Sequence, residues 1–269
     1  MSAVAPNVLG VERSLGGRRW YARESDERLA LALAQAGNLP DVLARVLAGR
    51  SVSPETLSDY LEPTLRRALP DPSHLRDMDH AAARLARAVQ EGEQIAVFGD
   101  YDVDGATSTA LLLRFFRAVG GKARPYIPDR QKEGYGPNAP ALLGLRSEGV
   151  AVAVTVDCGI TAFDALQAAQ DAGLDMIVVD HHVAEPRLPA ACAVVNPNRL
   201  DETSPHGNLA AVGVAFLLVV AVNRSLRVAG WYGDHRSEPD LMQWLDLVAL
   251  GTVCDMVPLT GLNRALVVQ

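Results

Sequence analysis

Three aspartates at alternate positions, Asp100, Asp102 and Asp104, carry the densest chemistry in the chain. They follow the apolar run Ile95-Ala-Val-Phe98 and precede Gly105 and the helix-forming stretch Thr109-Ala-Leu-Leu-Leu-Arg-Phe-Phe116. A strand ends and a helix begins there, the kind of crevice in which open α/β sheets bind ligands. Carboxylates this close oppose one another's ionisation, so the pattern asks for a cation, and a divalent metal is the simplest answer. Further on, Asp157, the run Asp180-His181-His182 and Asp255 each follow an apolar stretch. Carboxylates with one or two imidazoles suit Mn2+ or Mg2+. Cys158, Cys192 and Cys254 contain no Cys-x-x-Cys and are odd in number, which argues against a disulfide framework or zinc ribbon and leaves small buried fillers as the expectation.

Single-motif explanations compete. Asp100-x-Asp102-x-Asp104-Gly105 opens like an EF-hand loop, but Leu111 stands where the bidentate glutamate belongs and a strand leads in. Asp102-Val-Asp104-Gly105 also resembles the first motif of haloacid dehalogenase-type phosphatases, whose first aspartate is a covalent nucleophile. That alternative leaves Asp180-His-His182 and Cys254-Asp255 without work. His74, His80, His206 and His235 lie in polar or turn-like contexts and are expected at the surface.

Bringing these groups together requires a sheet. From Gln94 onward, short apolar runs alternate with helical stretches: Ile95–Phe98, Ala151–Val156, Asp175–Val179 and Cys192–Val195. Each lacks polar alternation, as strands covered on both faces do. The expected fold is α/β, a doubly wound, mainly parallel sheet with an N-terminal helical prelude. Parallel strands place their carboxyl ends on one edge, where the acids and histidines can converge. Thr161 to Ala172 is expected as a helix opened by a capping-box-like pair, Thr161 and Asp164. In the prelude, Val42, Leu43, Val46 and Leu47 form an apolar stripe opposite Arg45, and Ser53-Pro54-Glu55 is a helix start. The expected domains are 1–90 and 91–269. The glycine- and proline-rich stretch Pro128–Asn138 reads as a mobile loop, either plainly solvated or offering Arg130, Lys132 and Tyr135 to a phosphate or base.

Of the 269 residues, 49% are hydrophobic and 21% charged, an ordinary globular balance. The longest apolar run, Leu209 to Val222, is too short to span a bilayer and is expected as a buried core helix. Met1-Ser-Ala-Val-Ala-Pro6 lacks the pattern of a secretory signal, so no membrane and a cytoplasmic location are expected. The net charge of −7 does not exclude nucleic acid, because phosphate binding depends on local patches and bound metal.

Taken together, four segments resemble the DHH phosphoesterase superfamily and, within it, the RecJ family of single-strand-specific 5′→3′ DNA exonucleases. They are Gly99-Asp-Tyr-Asp-Val-Asp-Gly105, Val156-Asp-Cys-Gly-Ile-Thr161, Val179-Asp-His-His182 with Val195-Asn-Pro197, and Ala249-Leu-Gly-Thr-Val-Cys-Asp-Met-Val-Pro258. Glu133-Gly-Tyr-Gly136, Ala211-Val-Gly-Val-Ala-Phe216 and the prelude from Trp20 are similar to that family too. The resemblance implies two divalent cations, Mn2+ or Mg2+. Asp157 would bridge them, and Asp104, His181 and Asp255 would complete one. Asp102 would hold the other, with Asp100 as ligand or support. His182 would touch the scissile phosphate, and Arg130, Tyr135 and Asn196 would contact substrate. Phe98 stands where pyrophosphatase-type members carry a ligand histidine, which counts against that branch.

The implied activity is hydrolysis of single-stranded DNA from the 5′ end to 5′-mononucleotides, in repair and recombination, without a covalent intermediate. The implied partners are single-stranded DNA and a single-strand-binding protein or helicase, with the protein acting as a monomer. The family's C-terminal substrate-binding and oligonucleotide-binding domains are not expected within this chain, which reads as a catalytic-core fragment. Two alternatives stay open: a DHH phosphoesterase for short oligonucleotides or nucleotide phosphates, and a non-catalytic scaffold that binds nucleic acid.

Overall fold

The computed structural model describes residues 7–21, 26–233 and 235–269. Met1–Pro6, on which the expected lack of a secretory signal rests, and prelude residues 22–25 lie outside the described residues. The chain divides into two units, Met1–Pro63 and Thr64–Gln269.

The first unit holds α1 (Glu27–Gly37), α2 (Asp41–Ala48) and α3 (Leu57–Leu61). Asp26 caps α1 by accepting from the N–H groups of Arg28 and Leu29. The core is Ala30, Leu33, Ala44, Leu47, Val52 and Leu57. The expected apolar stripe on α2 is therefore corrected: Val42 is 71% exposed and Val46 50%, while Ala44 and Leu47 are buried. The side that meets α1 is the one with small residues, which lets the helices approach closely. Ser53 makes the expected capping bonds, but across a turn that precedes the regular helix. Its hydroxyl and that of Thr56 accept from each other's N–H, and α3 begins only at Leu57.

The second unit opens with α4 (Leu65–Ala68) and α5 (Met78–Glu91). There follow β1 (Gln94–Gly99), α6 (Val103–Ala118), β2 (Lys122–Tyr126), α7 (Arg130–Glu133), α8 (Ala139–Ser147), β3 (Val150–Val156), α9 (Phe163–Asp171), β4 (Asp175–Val179) and β5 (Ala193–Val195). Helices α10 (Ala211–Val228), α11 (Leu245–Cys254) and α12 (Gly261–Val268) come last. The sheet order is β2-β1-β3-β4-β5 and every pairing is parallel. Successive residues of a strand serve opposite faces. Ile95 and Val97 join a core with Leu85, Phe115 and Phe216, whereas Ala96 and Phe98 join one with Leu142, Leu166 and Val178. The sheet is thus doubly wound, as expected. Strand β2 was not anticipated: Lys122, Arg124 and Pro125 break its apolar pattern, which an edge strand tolerates.

The expected boundary at residue 90 shifts to Pro63/Thr64, because α5 buries Met78, Leu85 and Val89 in the sheet's own core. Helix α10 is long and apolar enough to cross a membrane, yet most of it is buried inside this unit. Helix α9 starts at Phe163 without a side-chain cap, so the Thr161–Asp164 box does not form. Only Cys158 is buried; Cys192 and Cys254 are exposed. His80 and His235 are exposed, but His74 bonds the Ser204 hydroxyl at 2.8 Å and meets the His206 ring edge-on.

Candidate metal centre

The carboxyl edge of the sheet gathers the expected residues. Asp100, directly after β1, is buried, and its Oδ1 accepts from the Tyr101 N–H at 2.8 Å. Asp102 caps α6 by accepting from Gly105 N–H at 2.9 Å. Asp104, in the first turn of α6, is buried against the open N-terminus of α10. Its two oxygens accept from the N–H groups of Ala211 and Val212 at 2.6 and 2.8 Å. Those amides have no partner inside their own helix, and the positive end of the helix dipole favours the carboxylate.

Asp157 follows β3 with φ of 60°, a left-handed conformation costly for a non-glycine residue. Its N–H is held by the Val179 carbonyl of β4 at 3.1 Å. His181, after β4, turns Nδ1 to the Leu209 carbonyl at 3.0 Å. That bond makes Nδ1 the donor to the backbone and turns Nε2 into the cluster, so that Nε2 is the atom that would give up its proton to a cation. Nε2 lies 3.3 Å from Asp157 Oδ1 and 3.9 Å from Asp104 Oδ2. Both Nε2 and Asp157 Oδ1 are buried, and their contact is an ion pair without well-formed hydrogen-bond geometry. Asp255, just past α11, brings Oδ2 within 3.8 Å of the His181 ring.

Among the described residues, three sets of ligand atoms lie within 4.8 Å of one another: Asp157, His181 and His182; Asp104, His181 and Asp255; Asp100, Asp102 and Asp157. Asp157 and His181 are each shared by two sets, so the three form one cluster. Buried polar atoms without partners are costly, and a coordinated cation removes that cost. Oxygen donors with one or two imidazoles fit a divalent ion such as Mn2+ or Mg2+.

The titrations follow from this crowding. Burial pushes the Asp104 carboxyl up to about 6, although the Val212 and Ala211 amides pull the other way. Burial, then the charges of Asp104 and Asp102, raise Asp157 to about 7 against the pull of His181. Burial would lower His181, but Asp157, Asp255 and Asp104 prevail and raise it to about 9. Asp100 and Asp255 are also raised, chiefly by burial.

Asp180, expected in the converging run but without a role of its own, braces the histidines. It is fully buried, and its carboxylate accepts from the N–H groups of Ile160, His181 and His182 and from His182 Nδ1 at 2.7 Å. Burial works to raise its pKa, but the His182 ring and these amides leave it lowered. In return Asp180 raises His182, whose ring is half exposed. The signal was present in the Asp-His-His run itself: the acid continues the buried β4 track, so it faces inward.

The three expected substrate contacts fare differently. Arg130 lies over the Tyr101 ring, 4.7 Å from its centre, beside the acidic loop. Tyr135, an exposed residue, donates its hydroxyl to the Asp157 carbonyl at 3.2 Å. Asn196 is a correction: it is fully buried, donating to the His182 carbonyl and accepting from Asn198 N–H, so it braces the histidine loop and cannot reach a substrate. The expected mobile loop contains a turn of helix, α7, with the Glu133 carboxylate bonded to Tyr126 and Asn138.

The model of the DHH family, N-terminal domain, matches residues 94–252. The single-stranded-DNA-specific exonuclease RecJ of Escherichia coli is 40% identical over 249 residues, covering 92% of this chain and 42% of that protein. The crystal structure of RecJ in complex with Mn2+ from Thermus thermophilus aligns with a TM-score of 0.70 at 30% identity, over 91% of this chain and 33% of that one. The crystal structure of exonuclease RecJ bound to manganese aligns with a TM-score of 0.62 at 37% identity, over 74% of this chain and 47% of that one. The chain spans less than half the length of the curated relatives it matches.

Proposed function

The chain belongs to the DHH family, and from that premise we propose that it is a metal-dependent phosphodiesterase. It hydrolyses single-stranded DNA from the 5′ end and releases 5′-mononucleotides. The observation that carries this reading is the convergence of Asp100, Asp102, Asp104, Asp157, His181 and Asp255 at one sheet edge. There the buried atoms Asp157 Oδ1 and His181 Nε2 lie 3.3 Å apart with, among the described residues, only each other as ion-pair partners in hydrogen-bonding range. Asp104, Asp157, His181 and Asp255 would hold one divalent cation, Mn2+ or Mg2+, and Asp157 with Asp102 and Asp100 a second. When bound, such ions supply positive charge to phosphoryl oxygens and acidify water.

The protein's own groups do the rest. The Leu209 carbonyl fixes the His181 tautomer, and the α10 amides hold Asp104 in place. Asp180 keeps a proton on His182 Nδ1 and leaves Nε2 on the opposite edge of the ring. The raised pKa of His182 favours the cationic ring, which can donate to a phosphoryl oxygen and to the departing 3′ oxygen. Arg130, stacked on Tyr101, offers a pre-oriented guanidinium to a phosphate.

The single-stranded-DNA-specific exonucleases that the chain matches support the choice of substrate. Attack from the 5′ end, a cytoplasmic setting, action as a monomer and a single-strand-binding protein or helicase as neighbour extend the same reading. Mn2+-dependent digestion of strands labelled at either end tests it. Early release of the 5′ label as a mononucleotide is expected, and Asp157→Ala is expected to abolish it. Undiminished release by that variant, or loss of the 3′ label first, would overturn the reading.

A further inference from the structure

The loop from Asp129 to Asn138 is anchored at its base. Glu133 accepts from the Tyr126 hydroxyl at 2.6 Å, the Asp129 N–H at 2.8 Å and the Asn138 amide at 3.3 Å. Asn138 in turn caps α8. Between these anchors, Gly134 and Gly136 take φ values of 83° and 73°, which only glycine adopts readily. Those two conformations place Tyr135, a residue 55% exposed, so that its hydroxyl reaches in to the Asp157 carbonyl. The Asp157 peptide is therefore gripped at both ends, by the Val179 carbonyl on its N–H and by Tyr135 on its oxygen. Without the second grip, rotation about Asp157 would relieve its left-handed strain and carry Oδ1 away from His181.

We infer that Tyr135 is a positioning residue, acting through Asp157, that couples the Asp129–Asn138 loop to the metal centre. Its hydroxyl holds the aspartate in the strained pose that keeps Oδ1 beside His181 Nε2. Coupling of this kind is reciprocal. A cation that fixes Asp157 also holds the loop down, and a strand lying on the loop beside Arg130 strengthens the cation's grip. The inference rests on the cation-site reading above and does not require that the substrate be DNA.

Calorimetric titration of the whole chain with Mn2+ tests it, alongside limited trypsin digestion at Arg130 and Lys132. Tyr135→Phe keeps the ring and loses one hydrogen bond. It is expected to bind Mn2+ about fivefold more weakly, the usual net worth of such a bond. Mn2+ is expected to slow cleavage of the loop in the parent and not in the variant, a readout that a merely structural tyrosine would not move. Gly134→Ala serves as a second variant. An added Cβ there meets nothing within 4 Å, but the positive φ becomes strained, so Mn2+ affinity is expected to fall in the same direction. Parent-like Mn2+ affinity and protection in Tyr135→Phe would overturn the coupling while leaving the metal centre intact. A parent chain that takes up no Mn2+ would overturn both.

Discussion

Gly105 lies against the backbone of Asp100: a Cβ at Gly105 would come 2.6 Å from the Asp100 carbonyl oxygen and 2.7 Å from its nitrogen. The first turn of α6 thus packs directly on the loop that carries the acids, and nothing flexible lies between them. Alanine is ordinarily the better helix residue by about 1 kcal/mol, but here the overpacking cost of about 1–3 kcal/mol decides the sign. Gly105→Ala is expected to lower the melting temperature and to weaken Mn2+ binding together, as read by calorimetry. A raised melting temperature would show that the loop yields.

Asp180→Asn separates positioning from ion binding. The amide removes the negative charge that raises His182, while His181 keeps its bond to Leu209. We expect kcat to fall on the order of 10²-fold with Mn2+ affinity nearly unchanged. Equal kcat in variant and parent would mean that His182 needs no oriented proton.

The legible parts of the fold were those where one physical demand dominates. Ile95–Phe98 and, Thr155 apart, Val152–Val156 are apolar on both faces, so the central strands stand out in the sequence. Strand β2 is half exposed, and Lys122 and Pro125 hide it. The acids after the strands were readable because a parallel sheet sends every carboxyl end to one edge. The groups that hold them were not: Asp104 rests on backbone amides of Ala211 and Val212, which leave no side-chain signature. Asn196 shows the converse, since a polar residue after a strand looks available until its amide is found bonded to the His182 carbonyl.

The raised pKa values set a pH window. In the ion-free protein Asp104 stands at about 6, Asp157 at about 7 and His181 at about 9, each above its ordinary value. A group raised on folding stabilises fully below its unfolded pKa and loses that contribution as pH rises through the folded value. These three therefore destabilise the ion-free fold progressively between about pH 4 and pH 9. A cation displaces the same protons, so its binding strengthens over that range. The rise in melting temperature on adding Mg2+ is expected to grow from about pH 6 to about pH 8.5. A flat increment would show that these groups do not hold the ion.

Asp157→Asn should divide stability from function. The carboxylate is buried at φ of 60° and its ionisation is opposed by burial and by Asp104 and Asp102, so at pH above its pKa it burdens the ion-free fold. Asparagine tolerates the left-handed region better than most residues and carries no charge. It retains the backbone bonds to Val179 and Tyr135, which do not involve the side chain. In EDTA near pH 8 the variant is expected to melt higher than the parent, by an amount corresponding to roughly 1 kcal/mol or more. On adding Mn2+ the order should reverse, because the parent gains the stabilisation of a bound ligand and the variant does not. Paired melts in EDTA and Mn2+ decide it. A variant less stable than the parent in EDTA would mean that the attraction between Asp157 and His181 outweighs the cost of burying the charge, and that the fold does not depend on a cation to accommodate this aspartate.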